Sequence, residues 1–194
     1  MSDYPEYVEV NGHRYKINTD FRYAIECQRI AQDDIGDLER ALAVIYTLFG
    51  EEALNNPSDY EKLLIVAKKY LSCGKEEDIN NNEEPDMDFI EDMDYIETSF
   101  QSDYGIKLEE EEMHWWKFFN LMNGLSNSEF GNCCILNRIR NLRTFDLKDI
   151  TDVKQRDRIR REQERVALKR NKKSNKLTEE QENSMEQLNR ILGI

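Results

Sequence analysis

Asn11-Gly12 is the point in this sequence where the chain has least conformational choice. A two-residue turn that matches strand twist needs positive φ at both central positions, and Asn followed by Gly accepts this most readily. In YVEVNGHRYKI the flanking residues alternate in character, so the turn also sets a register: Val10 faces His13, Glu9 faces Arg14 and Val8 faces Tyr15. Val8, Val10, Tyr15 and Ile17 then share one face, and Glu9 and Arg14 are placed to form a cross-strand ion pair on the other. A lone hairpin is marginal in water, so its apolar face predicts helices packed beneath it.

The remaining sequence supplies them. Asn18, Thr19 and Asp20 are a cluster of N-cap residues, and Phe21 opens a helix with Ile25, Cys27 and Ile30 inward, broken by Gly36. A second helix from Asp37 carries Leu38, Ala41, Leu42, Ile45, Leu48 and Phe49 at helical spacing and ends at Gly50. Ser58 and Glu61 have capping-box spacing at the start of a third, whose stripe is Tyr60, Leu63, Leu64, Ala67 and Leu71 before Gly74. Residues 75–85, acidic and rich in Asn, read as a linker. Periodicity then predicts a helix over 86–104 with Phe89, Ile90, Met93, Ile96 and Phe100 inward, and a turn at Tyr104-Gly105-Ile106. Glu109, Glu110, Glu111 and Glu112 load the expected first turn of the next helix, which contains HWWKFFNLMNGL. Ser126 and Glu129 again have capping-box spacing, ahead of a stripe of Ile135, Leu136, Ile139 and Leu142. That helix leaves Arg138, Arg140 and Arg143 on its exposed side. Beyond Phe145 apolar content collapses, and 178–192 reads as a short last helix with Met185, Leu188, Ile191 and Leu192 as its stripe. The fold class is mainly α: a helical domain over 1–145 with a small N-terminal β-hairpin, followed by a protruding, charged helical C-terminal arm over 146–194.

The chain carries a formal net charge of −13, with 35% charged and 39% hydrophobic residues. An acidic surface repels phosphates, which argues against general nucleic-acid binding. The charge is unevenly distributed. Residues 75–112 are strongly acidic with Lys75 and Lys107 as their only bases, whereas 138–176 are strongly basic. The basic stretch has three readings. It is a solvated helix of mixed charge held by i,i+4 pairs, a surface that pairs with acids on another copy or another protein, or a nucleic-acid site. Within its arm at 151–176, Asp157, Glu162 and Glu164 interrupt the bases and no aromatic residue is present for base stacking, which weakens the third. In the second, Arg138, Arg140, Arg143, Arg158 and Arg161 are the candidate contact residues, and self-association would run head to tail.

Nothing in the sequence points to catalysis, a metal or a cofactor. There is no glycine-rich phosphate loop and no GxSxG. Only two histidines occur: His13 beside the hairpin turn, and His114 ahead of Trp115-Trp116. Cys27, Cys73, Cys133 and Cys134 lack CxxC spacing and read as free thiols. The stretch from Asp86 to Asp92 has the opening acids of a calcium loop but not its glycine, and reads as a solvated acidic helix face. HWWKFFNLMNGL is the densest apolar cluster. It is either the central helix of the core or the place where Trp115 or Phe118 is left outward to anchor a partner. No apolar run approaches the roughly 20 residues of a bilayer span, and MSDYPEYVEV lacks a signal-peptide pattern.

Two stretches carry a family resemblance. One is the hairpin running into Ile17-Asn18-Thr19-Asp20-Phe21-Arg22; the other is Asp94-Tyr95-Ile96, Phe100, Tyr104-Gly105-Ile106, His114-Trp115-Trp116-Lys117-Phe118 and Gly124-Leu125. With Arg138-Ile139-Arg140-Asn141-Leu142-Arg143, they span most of residues 5–150 and make the chain resemble the phage "gene product fifteen" family of siphophages and prophages. The resemblance implies a place in the tail-assembly cassette and a non-enzymatic tail assembly chaperone. Its expected partner is the tape-measure protein, with the major tail protein and a second copy of the chain behind it, and no nucleic acid or membrane. Trp115, Trp116, Phe118 and Phe119 would supply or support an apolar groove for the client. The expected location is the cytoplasm of the bacterial host, with the protein absent from the mature virion. A structural tail component retained in the virion is the alternative, and a nucleic-acid-binding regulator the lesser one.

Overall fold

The computed structural model of the protein describes residues 4–75, 85–127 and 133–169. Strands β1 (Tyr7–Val10) and β2 (His13–Lys16) pair antiparallel in the register expected, with Val8 opposite Tyr15 and Val10 opposite His13. Asn11 and Gly12 both have positive φ, 51° and 84°. Val10, Tyr15 and Ile17 are buried and Val8 partly so. Glu9 lies opposite Arg14 without an ion pair; the Arg14 guanidinium turns instead onto the Tyr7 ring, 4.1 Å from its centroid.

Seven α-helices follow among the described residues: α1 (Phe21–Gln32), α2 (Asp37–Phe49), α3 (Tyr60–Leu71), α4 (Met93–Tyr104), α5 (Trp115–Asn123), α6 (Ile135–Thr144) and α7 (Val153–Val166). The fold class is mainly α with an N-terminal hairpin, as the sequence implied. Helix α1 packs on α2 and α5, α2 on α3, and α4 and α7 on α6. Their inward faces join one hydrophobic core that runs from Val10 of the hairpin to Leu136 of α6.

The hairpin is fastened to α3 by a buried carboxylate. Asp59, at the start of α3, accepts hydrogen bonds from Asn11 Nδ2 on Oδ1 at 2.7 Å and from the Tyr15 hydroxyl on Oδ2 at 2.6 Å; His13 Nδ1 lies 2.7 Å from that same Oδ2. The Tyr15 hydroxyl, then Asn11 and His13, hold its carboxyl well below the usual carboxylate range. This interaction replaces the capping box predicted at Ser58 and Glu61: Ser58 donates to Asp59, and α3 begins without a side-chain cap. Asn18 joins the hairpin to α2, its backbone N–H on the Leu48 carbonyl and its side chain on that of Thr47, both at 2.8 Å. Of the stripe predicted for α2, Leu38 lies outside the core at 72% exposure.

Three expectations fail between residues 86 and 115, for a common reason: carboxylates and carbonyls there find better partners than a helix offers. The helix predicted over 86–104 begins only at Met93. Asp88 accepts from the backbone N–H groups of Ile90 and Glu91, and Asp92 accepts from that of Asp88, which holds 86–92 as turns. Asp88 and Asp92 are buried, so this is not a solvated acidic face. Nor do the glutamates at 109–112 enter a helix. Arg22 gathers the carbonyls of Leu108 at 2.6 Å and Glu111 at 3.1 Å into a loop, and α5 begins after His114.

Arg143 is not on the exposed side of α6 as predicted. Its side chain is 10% exposed, and the guanidinium grips Asp92, whose side chain is 1% exposed, through two hydrogen bonds of 2.7 Å; it also donates to the carbonyls of Asp86 and Val166. Arg140 pairs with Asp86 at 2.9 Å, and only Arg138 of the three points fully outward. Helix α7 is charged and helical as expected but lies along α6 rather than protruding. Gln163 donates to the carbonyls of Leu142 and Phe145, Leu168 is buried, and the Lys169 N–H meets the Glu91 carboxylate. The box residue Glu129 and the helix predicted over 178–192 lie outside the described residues.

A buried ion pair is most sensitive to loss of one partner, which strands the other charge. Arg143→Ala is therefore expected to lower the free energy of unfolding by about 3 kcal/mol. Arg138→Ala, on the same helix but exposed, should change it by less than about 0.5 kcal/mol. Urea denaturation of the two variants distinguishes a structural Arg143 from a surface one, which would behave like Arg138.

Candidate functional site

The aromatic segment His114-Trp115-Trp116-Lys117-Phe118-Phe119 sits where the hairpin, the start of α1, the end of α3 and α5 meet. A short antiparallel bridge sets it there: Phe21 N–H donates to the Met113 carbonyl at 2.9 Å and Trp115 N–H to the Thr19 carbonyl at 2.7 Å. Asp20 serves both sides, capping α1 through the Arg22 N–H and accepting from the Met113 N–H at 3.1 Å.

A helix ends with carbonyls that have no partner within it. At the end of α3 those of Tyr70 and Leu71 each receive an indole N–H at 3.0 Å, from Trp116 and Trp115 respectively. The adjacent tryptophans thus cap adjacent carbonyls, one ring from the core side and one from the rim. The helix then turns through Cys73 and Gly74, both at positive φ, and a Cβ on Gly74 would lie 3.6 Å from the Trp116 ring.

His114 is used structurally at both nitrogens. Nδ1 accepts the Trp116 N–H at 3.0 Å, which caps α5 and places the ring proton on Nε2, 3.2 Å from the Pro5 carbonyl. The Tyr4 ring stacks on it with centroids 4.8 Å apart. Burial holds its pKa below that of a free histidine, against the opposing pull of Pro5 and Glu6.

The predicted aromatic residues divide into two pairs. Trp115 and Phe118 are fully buried, so neither is an outward anchor. Phe118 stacks between Phe21 at 4.6 Å and Phe100 at 5.1 Å, and Trp115 packs against Phe89 at 5.5 Å. Trp116 and Phe119 are partly exposed. Trp116 lines a shallow apolar groove with Pro5, Tyr7, Val8, Val66 and Tyr70, and Lys69 stands at its edge. Tyr7 and the neighbouring Ile65 are exposed at 47% and 63%. The predicted arginines do not join this site: Arg138, Arg140 and Arg143 lie on α6, Arg158 and Arg161 on α7.

Sequence reasoning missed the groove residues on α3. Val66 and Tyr70 are spaced i,i+4 and form a second stripe, whereas the predicted stripe follows Leu63 and Ala67. The four cysteines are free, and burial raises the Cys27 thiol to about 12, which removes it from nucleophilic chemistry at neutral pH. Among the described residues no group of three potential ligands could hold a metal ion, and no helix is long and apolar enough to cross a membrane.

Two outcomes follow from this arrangement. Trp115→Ala should destabilise the fold by about 4 kcal/mol, and Phe119→Ala by clearly less; near-equal losses on chemical denaturation would contradict the burial difference. The second concerns pH. A histidine whose folded pKa is depressed binds fewer protons folded than unfolded. Its contribution is therefore intact above about pH 6.5, the unfolded value, and stability falls as the pH drops from there towards the folded pKa. His114→Asn keeps a capping acceptor but cannot titrate. Thermal melts from about pH 7 to about pH 5 should show a shallower loss for it than for the parent chain, and parallel slopes would assign the titration to another group.

The chain's first 168 residues match a family model described as Bacteriophage Gp15 protein. No curated protein and no solved structure matches the chain. The matched region takes in the hairpin, all seven helices of the described residues and the buried Leu168. The chain belongs to the bacteriophage Gp15 protein family.

Proposed function

We propose that this protein is a non-enzymatic tail assembly chaperone that binds the tape-measure protein in the cytoplasm of the bacterial host and is left out of the finished virion. Membership of a phage family supports the setting. The observation that carries the reading is the apolar groove beside the aromatic junction, lined by Tyr7, Val8, Val66, Tyr70 and Trp116 with a lysine at its edge. An elongated helical client offers an apolar stripe, and such a stripe is held by a shallow apolar surface rimmed with charge. Shallowness suits a chaperone that tail-tube subunits must displace. The fully buried Trp115 and Phe118 support this surface without touching a client.

Co-expression with the tape-measure protein of the same phage, followed by co-purification, is the test. A soluble stoichiometric complex is expected. The double variant Tyr7→Ala with Val66→Lys should lose it while keeping its helical circular dichroism. An insoluble tape-measure protein beside a folded parent chain would reject the chaperone role. Detection of the chain in purified virions by mass spectrometry would favour a retained tail component instead.

A further inference from the structure

The fold pairs many of its acids and bases internally, and what remains outside those pairs is informative. Asp86, Glu91 and Asp92 meet Arg140, the Lys169 N–H and Arg143. Among the described residues, two clusters of opposite sign stand largely outside those pairs. One is the outer face of α7, where Lys154, Arg158, Arg161 and Arg165 recur at spacings of four, three and four and are all exposed. Arg158 pairs with Glu162, and Asp157 is 3.7 Å from Arg160; Lys154, Arg161 and Arg165 have no ion pair among the described residues. Asp157 and Glu162 flank this stripe, and four cations still stand at the spacings where like charges repel, a cost that an acidic partner would relieve. The opposite face is occupied, because Gln163 and the carbonyl of Val166 are bonded to α6 and the segment after it.

The other surface is the loop of Glu109, Glu110, Glu111 and Glu112, all exposed. Among the described residues only Glu110 has a counter-ion, Lys107 at 2.9 Å. The loop is held in shape: Leu108 and Met113 are buried at its ends, and Arg22 bonds the carbonyls of Leu108, Glu109 and Glu111. Its field reaches Glu97, whose carboxyl pKa is raised first by burial and then by Glu109 and Asp94.

We infer that the cationic face of α7 docks on the 109–112 loop of a second copy of this chain. The loop is preorganised, so little ordering entropy opposes the contact. The two surfaces lie on different elements, so the contact is heterologous. Each copy keeps one free face of each sign, and such contacts propagate as a row instead of closing into a two-fold dimer. Exposed charges interact within about 10 Å at ordinary ionic strength, so the local match outweighs the repulsion between two acidic molecules. The contact is independent of tape-measure binding, and either can fail alone.

The test is sedimentation velocity of the full chain over a concentration series, from about 50 mM to about 500 mM salt. The parent should associate at low salt, with an association constant that falls about tenfold or more across the range. Two charge-reversed chains, Arg158→Glu with Arg161→Glu and Glu110→Arg with Glu111→Arg, should each be monomeric. Mixed in equal amounts they should associate again, because each then meets its complement; this rescue also shows that both are folded. A parent that is monomeric at every salt concentration, association that both variants retain, or a mixture that stays monomeric would overturn the inference. So would a mobility shift with single- or double-stranded DNA, lost in the Arg158→Glu, Arg161→Glu chain, in a parent that does not self-associate; that outcome would assign the face to phosphates.

Discussion

Two indole N–H groups at the end of α3 hold the molecule together. Trp115 and Trp116 donate to the carbonyls of Leu71 and Tyr70, at the end of the helix where its own ladder runs out; the Tyr70 carbonyl also accepts the Cys73 N–H at 3.0 Å. An indole has one donor and a large apolar body, so each ring satisfies a carbonyl while sealing the surface around it. Because the two residues are adjacent, the end of α3 and the start of α5 have only one relative placement. His114, one residue earlier, extends the junction to Pro5, and the Trp115 N–H extends it to Thr19. The other end of α3 is tied to the hairpin through Asp59. With both ends of one helix fastened, the hairpin, α1, α3 and α5 take up a single arrangement around Phe118.

The acids between residues 86 and 112 serve two different physical ends. Asp88 and Asp92 are inside, where a carboxylate persists only when its lone pairs are filled; backbone N–H groups and Arg143 fill them. Such a pair contributes less to net stability than to uniqueness: 86–92, α6 and the end of α7 meet in only one way when Arg143 must reach Asp92, Asp86 and Val166 together. The glutamates at 109–112 are outside, and their backbone rather than their side chains is what the fold secures.

These placements bear on how the protein could work. Trp115 and Phe118 stabilise the interior, and the surface beside them is a shallow groove lined in part by Trp116 and Tyr70. Weak, displaceable contacts suit such a surface. Helix α7 has no buried residue of its own and is held by hydrogen bonds to backbone carbonyls and by Leu168 just beyond its end. That leaves its cationic outer face in solvent.

The elements governed by local rules were legible in the sequence. Asn11-Gly12 determined the hairpin and its register, because few conformations accept positive φ at two successive residues. Helices α1 and α2 followed from their 3.6-residue stripes and the residues that bound them, and α3 from its stripe though not from its cap; the glycines at 50 and 105 end α2 and α4 as their positions implied. The family, too, was legible in the HWWKF element and its surroundings. What the tertiary structure alone decided concerns side chains whose partners are distant in sequence. Asp92 and Arg143 are 51 residues apart, and no local pattern marks either as buried. The 86–92 segment has helical periodicity yet is turned, because buried carboxylates capture its N–H groups. Trp115 points into the core and Trp116 to its edge because the carbonyls they cap lie on a helix more than forty residues earlier. Periodicity reports which faces are apolar, but only packing assigns each polar atom its partner.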